Sequence, residues 1–317
     1  MTKIIAELCH NHNGSQELAK RMIHSAAECG AHYAKMQSIF ASDLTRRNRF
    51  EKGIIQDGKV KSIVRPYQQE YDRLKALEFD WNQHRWFIEE CKAAGIKPMT
   101  TIFTRAQIPA IAEMDWNEVK IASYDCASAP LLHELNGKFE HIYISTGAVM
   151  DEEIETASRM MSGQSYSFLH CVSVYPTPLN DVHLERLNYL RQFTPNVGFS
   201  DHSLVERDGV KASLAAIYFG ASVIERHFTL LDPDKTKDGP VSIGPDHLKQ
   251  LVQFSCLDKD SQSEWVKEQI PEYKSMLGSA TRQLTETELL NRDYYRGRFA
   301  SHVNGQVVYN WDEKPVK

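Results

Sequence analysis

Two lysines, two histidines and a set of hydroxyls stand where short apolar runs end, and these residues could do chemistry. Lys35 and Lys120, with Ser123, Ser145, Thr146 and Ser200, supply cations and hydroxyl donors. Such a set suits a phosphate or a carboxylate. His202 and His227 close two neighbouring runs, so both imidazoles can reach one divalent cation. Nitrogen donors with a carboxylate or water fit manganese, zinc or iron. Glu225 lies two residues before His227, on the same side of an extended strand, where it can ligate the ion or hold a bound water. Two histidines without a firm third ligand favour a metal open to substrate over a structural one. Each residue alone admits a plainer role: a buried lysine can be half of a structural ion pair, and a lone histidine a hydrogen-bonded core residue.

The elements that must position these groups follow from periodicity. Apolar and β-branched runs at 3–8, 32–39, 97–103, 118–123, 141–146, 166–172, 196–202 and 222–228 read as eight strands. Helical patterns lie between them, at 15–29, 81–95, 150–161, 181–193 and 208–219, and Gly30, Gly95 and Gly220 close three of them. Strict alternation predicts a parallel sheet covered by helices, and eight repeats predict a closed (β/α)8 TIM barrel. Every predicted strand ends in polar residues, among them Glu7, Gln37, Thr101, Ser173 and Tyr175. That rim is where barrel enzymes keep their sites. One connection is too long: residues 41–80 form an insertion after the second strand. Its TRRNRFEKG segment reads either as a solvated basic loop or as part of a lid. The barrel is expected over residues 1–280, with a tail at 281–317.

Composition sets the limits. The chain has 317 residues, 42% hydrophobic and 25% charged, which excludes a mainly disordered protein. The net charge of −5 gives no general affinity for nucleic acid or an acidic membrane, so neither is an expected partner. No run suffices for a membrane span. The N-terminus turns polar at His10, too early for a secretion signal. Six scattered cysteines without a Cys-x-x-Cys pair fit reduced thiols, and a cytoplasmic setting is expected.

Several segments carry a resemblance: AELCHNHNG (6–14), AKMQ (34–37), KIASYD (120–125), ISTG (144–147), LHCVSVYPTP (169–178), GFSDHS (198–203) and GASVIERHFTL (220–230). Over about residues 4–251 the chain resembles the sialic acid synthase family, enzymes that condense phosphoenolpyruvate with an amino-sugar aldehyde to a nonulosonic acid and phosphate. The resemblance implies a (β/α)8 barrel. It also implies a divalent metal, Mn2+ or Mg2+, on His202 and His227, with Glu225 as a ligand or behind one. Phosphoenolpyruvate would be held by Lys35, Gln37, Thr101, Lys120, Ser123, Ser145, Ser173 and Ser200. Glu7 would be the acid/base carboxylate, and Tyr175 would contact the sugar.

The family pattern places an active-site Asp eleven residues after the second histidine, which here is Asp238 and not Asp246 of the GPDH segment. Pro245-Asp246 instead reads as the opening of a helix. The family's small C-terminal antifreeze-like domain, which completes the sugar site of a partner subunit, is at most a remnant in the tail at RGRFA (296–300). A homodimer is the expectation the resemblance carries. Two rival readings stand beside the condensing enzyme. One is a Schiff-base aldolase or isomerase using Lys35 or Lys120. The other is a sugar-binding barrel without turnover.

Overall fold

The computed structural model describes residues 2–311. Eight parallel strands close on themselves: β1 (Lys3–Glu7), β2 (Tyr33–Ser38), β3 (Lys97–Ile102), β4 (Glu118–Ile121), β5 (His141–Ser145), β6 (Tyr166–His170), β7 (Val197–Asp201) and β8 (Val223–His227). The closing pair is β1 with β8, in the register Ile5 to Glu225 and Glu7 to His227. The expected (β/α)8 barrel is therefore the observed fold.

Alternation along each strand explains how the barrel is filled. Ile4 and Ala6 of β1 point outward into the main core beneath the helices. Ile5 points inward, where it packs with Tyr33, Met99, Tyr143, Leu169 and Val223 into a plug across the barrel. The helix Gln16–Glu28 buries Ala19, Met22, Ile23 and Ala26, a spacing that makes one face, and Ser15 caps its start by accepting from the Leu18 N–H. Two expected helices are broken. The 181–193 pattern becomes a single helical turn at Leu179–Asp181 and a short helix at Arg186–Leu190, with His183 between them at φ 49°. The 208–219 pattern divides at Gly209, φ 55°, into Val205–Asp208 and Lys211–Tyr218. A residue in the left-handed region cannot continue a right-handed helix.

The 41–80 segment is an ordered excursion containing a hairpin, Ile54–Gln56 with Lys59–Ser62, and a helix, Tyr67–Leu77. The tail from 281 forms a helix, Glu286–Tyr295, and a hairpin, Ala300–Val303 with Gln306–Tyr309. Its residues 312–317 lie outside the described residues. Among the described residues, no helix is long and apolar enough to cross a membrane.

A candidate active site at the C-terminal rim of the barrel

One step above the apolar plug, the inward positions become charged. Glu7 pairs with Lys35 and accepts from Gln37 Nε2 at 3.1 Å. Lys35 Nζ also donates to Thr101 Oγ1 at 3.0 Å and lies 3.5 Å from Glu225. Lys120 Nζ donates to Glu225 Oε1 at 2.5 Å, and the Ser200 hydroxyl donates to the same oxygen at 2.7 Å. Of these seven residues all but Gln37 are buried. Burial would raise the Glu225 carboxyl, but Lys120 and Lys35 hold it far below the usual carboxylate range. Burial pulls the Lys35 ammonium down to about 7, which Glu225 resists and Lys120 reinforces.

Two buried carboxylates thus balance two buried ammonium groups, and hydroxyls surround them. The Ser145 hydroxyl is buried without a partner. Ser123 Oγ accepts from the Gly147 N–H at 3.1 Å and lies 3.2 Å from Cys171 Sγ. A Cβ at Gly147 would come within 2.5 Å of Ser173 Oγ and 2.6 Å of Cys171 Sγ. Only glycine lets the backbone approach Ser123 and Ser173 this closely. Above this floor opens a cavity of about 450 Å³, which Glu7, Lys35, Lys120 and Ser145 help to line.

The groups that could hold a metal ion gather at one side of the cavity, which His227 and Asp238 line. Cys9 Sγ, a ring nitrogen of His227 and a carboxylate oxygen of Asp238 lie within 4.8 Å of one another. Cys9 Sγ is 3.6 Å from Asp238 Oδ2. The His202 ring is 5.3 Å from that of His227, and both Nδ1 atoms are buried without partners. Burial and the neighbouring His227 push His202 well below its ordinary pKa, and burial lowers His227 against the pull of Asp238. Both imidazoles are therefore neutral at pH 7, the form that ligates metal. A thiol, imidazoles and a carboxylate converging with orphaned nitrogens fit a divalent transition ion.

The structure redistributes the expected ligand set. Glu225 is engaged with Lys120, Lys35 and Ser200 one layer below, and neither it nor His202 is among the grouped donor atoms. The reason is register: Glu225 opposes Ile5 in the barrel wall, whereas His227 opposes Glu7 at the rim. Cys9 takes the place that the sequence reading left open. It follows β1 in a left-handed conformation, φ 39°, which is uncommon for a residue with a side chain. Its only sequence signal is its position between Glu7 and His10, at the end of a strand. Asp238 reaches the cavity, while Asp246 stands in the first turn of the helix Pro245–Ser255. Tyr175 is half exposed at the mouth, with its ring 4.1 Å from that of His202. Arg226 and Asp201, also polar at the strand ends, point outward into a fully buried ion pair at 2.5 Å and belong to the scaffold.

A third set was not visible in the sequence. Asn291, Tyr295 and Arg298 of the tail, with Arg73 of the insertion and Lys237, also line the cavity. No local pattern announces them.

Fold and rim together define an enzyme of the (β/α)8 class, with a floor of buried lysines beside a cluster of groups that could hold a metal ion. The model of the NeuB family matches residues 22–263. The chain is 33% identical to the N,N'-diacetyllegionaminic acid synthase of Campylobacter jejuni, over 79% of this chain and 74% of that one. It is 29% identical to a pseudaminic acid synthase of the same species, over 99% of this chain and 86% of that one. The crystal structure of the N-acetylneuraminic acid synthetase of Leptospira borgpetersenii superposes with a TM-score of 0.69 at 25% identity, over 92% and 90% of the two chains. The chain belongs to the NeuB family of sialic acid synthases, and it is a synthase of that class.

Proposed function

We propose that this protein condenses phosphoenolpyruvate with an amino-sugar or related aldose, giving a nonulosonic acid and phosphate, with the help of a divalent metal. The observation that carries the reading is the buried layer of Lys35 and Lys120 beneath an orphaned Ser145 hydroxyl, facing a cavity lined by His227 and Asp238, with Cys9 grouped behind them. Relatives named as synthases of legionaminic and pseudaminic acids support the product class.

On this reading Lys35, Lys120, Thr101, Ser123, Ser145, Ser173 and Ser200 hold the phosphate and carboxylate of phosphoenolpyruvate. The two ammonium groups, buried at the floor, oppose its charge. Cys9, His227 and Asp238 would hold the metal, with His202 beside them. The chemistry a divalent ion supplies when bound there is Lewis-acid polarisation of an aldehyde oxygen. Gln37 belongs with the phosphoenolpyruvate set, and Tyr175 orients the sugar, so that the enol carbon meets the aldehyde carbon and the new C–C bond forms. Glu7 then takes a proton from the water that adds at the phosphate-bearing carbon. It returns that proton to the departing phosphate oxygen as the C–O bond breaks, and the hydroxyl left on that carbon becomes the keto oxygen as its own proton passes to the former aldehyde oxygen. Its contact with Gln37 and Lys35 fixes the carboxylate for both transfers.

The test is phosphate release from phosphoenolpyruvate with Mn2+ against a panel of aldoses; no release with any of them sinks the reading. A Schiff-base mechanism is the second reading, favoured by the Lys35 ammonium being drawn down to about 7. Against it, each floor lysine is engaged in an ion pair with a buried carboxylate. Borohydride trapping of a covalent sugar adduct would decide for the Schiff base.

A further inference from the structure

The tail is fastened to the barrel along its length. The insertion holds its start: Arg47 donates to the carbonyls of Tyr294 at 2.5 Å and Arg296 at 3.2 Å, and Arg49 pairs with Asp293 at 2.8 Å. The basic TRRNRFEKG segment is thus a docking strip for the tail. From there the tail runs over the segments that follow β3 and β5. Ser301 Oγ accepts from the Ala106 N–H at 2.8 Å, and Arg105 donates to the Tyr309 carbonyl at 3.4 Å. Arg292 and Arg296 pair with Glu153 at 2.6 and 2.5 Å.

Asn310 and Trp311 make the deepest attachment. Asn310 is 3% exposed, and its side-chain nitrogen donates to the Phe103 carbonyl at 2.8 Å and to Asp125 Oδ1 at 3.2 Å. Trp311 Nε1 donates to the same carboxylate oxygen at 3.0 Å, and the Ser128 hydroxyl donates to the Asn310 carbonyl. The Arg296 guanidinium lies 3.5 Å from the centre of the Trp311 ring.

Asp125 is a buried carboxylate that the condensation leaves unused. It stands two residues after Ser123 in one helical turn, and Phe103 stands two residues after Thr101. Thr101 and Ser123 line the cavity. So does Tyr124, which stacks on Tyr295 with ring centres 4.8 Å apart. The turn therefore shows Ser123 and Tyr124 to the cavity and Asp125 to the end of the tail. Both side-chain donors that reach the Asp125 carboxylate come from the tail. A buried carboxylate is costly unless it is hydrogen-bonded, so this turn keeps its form while residues 310 and 311 are seated.

We propose that Asn310 and Trp311 are positioning residues for phosphoenolpyruvate. By tying the Phe103 carbonyl to the Asp125 carboxylate they fix the ends of β3 and β4, and so hold Thr101 and Ser123 at the spacing the ligand needs. This rests on the condensing reading above, which places the ligand on those two hydroxyls. Neither Asn310 nor Trp311 is among the residues lining the cavity, so both act through the turn. A hydroxyl displaced by about 1 Å loses its bond to the ligand while the rest of the site stands.

Steady-state phosphate release with phosphoenolpyruvate, Mn2+ and an accepted aldose tests it. Asn310→Ala should raise the KM of phosphoenolpyruvate about fivefold or more and leave kcat and the aldose KM within about twofold. Trp311→Phe keeps a ring beside Arg296 and loses the N–H. It should raise the same KM about two- to threefold, and it serves if Asn310→Ala does not fold. Asp125→Ala should itself raise that KM, and adding Trp311→Phe to it should do nothing more, because the bond is already gone. If either folded variant of the tail keeps the wild-type KM of phosphoenolpyruvate, whatever its midpoint in urea, the attachment is merely structural and the proposal falls. It falls equally if the aldose KM rises as much, or if Trp311→Phe has its full effect in the Asp125→Ala chain. If wild-type protein releases no phosphate with any acceptor, the condensing reading fails and this one with it. Release by wild type with unmoved variants overturns this proposal alone.

Discussion

The inside of this barrel holds two layers of polar side chains, and they behave differently. The lower layer is Glu118 with Tyr33 and Tyr143. Tyr143 donates to the carboxylate at 2.7 Å and Tyr33 to both its oxygens at 2.9 Å, with Lys97 3.6 Å away. The upper layer stands two residues further along the same strands, where Lys35 follows Tyr33, Lys120 follows Glu118 and Ser145 follows Tyr143. The apolar plug formed by Ile5, Met99, Leu169 and Val223, with the tyrosine rings, separates them. Below, the donors and acceptors close on one another. Above, a hydroxyl and two ring nitrogens stay unpaired and face a cavity. A satisfied buried polar network holds a fold together; an unsatisfied one that faces open space awaits a ligand.

The largest expected effect breaks the upper layer. Lys120→Met removes a charge that opposes the phosphate and should cost about 10³-fold in the kcat/KM for phosphoenolpyruvate, read as phosphate release. Its circular dichroism should stay that of a folded barrel. A variant that loses stability but turns over normally would make the two layers alike. Next comes the metal side. Asp238→Ala should abolish turnover, a loss of about 10²-fold or more, while Asp246→Ala at a helix start should leave it near wild type. Loss of activity only in the second would return the site carboxylate to Asp246. Dialysis against EDTA should remove activity, and Mn2+ should restore it. With Co2+ as a probe, the wild-type protein should show a near-ultraviolet thiolate-to-metal absorption that Cys9→Ser lacks; a band that survives in Cys9→Ser would exclude the thiol as a ligand.

How much of this was legible in sequence follows from the range of each signal. Strand alternation acts over a few residues, so all eight barrel strands were readable. The rule that sites gather at strand ends then picked out Lys35, Lys120, Ser145, Ser200 and His227. Period-two spacing alone cannot separate Glu118 from Lys120, since both face inward; only their position along the strand does. Glu225 and His227 pose the same problem. They share a face, yet register puts one beside the lysines and the other at the rim. Cys9 sits in a loop whose left-handed backbone has no sequence signature. Arg298 meets Glu70 across 228 residues of chain, a pairing that no local pattern encodes.

The smaller effects lie in the lower layer. Glu118→Gln keeps the shape but weakens two charge-assisted hydrogen bonds. It should lower stability by about 1–3 kcal/mol in urea unfolding, with kinetic constants within about twofold of wild type. The pH dependence follows from the carboxyl's shift. Burial alone would raise it, but the hydrogen bonds from Tyr143 and Tyr33 outweigh burial and set it below its ordinary value of 4.5 in the folded chain. The folded state therefore binds this proton less readily than the unfolded one. Its stabilisation is complete above pH 4.5 and fades as pH falls below that value. The stability difference between wild type and Glu118→Gln should be flat from pH 5 to 8 and shrink on acidification. Tyr143→Phe, which removes one of the donors and leaves Tyr33 in place, should cost only about 1 kcal/mol and no turnover. A loss of turnover from either lower-layer variant, with stability intact, would mean that the plug does not insulate the site from the layer beneath it.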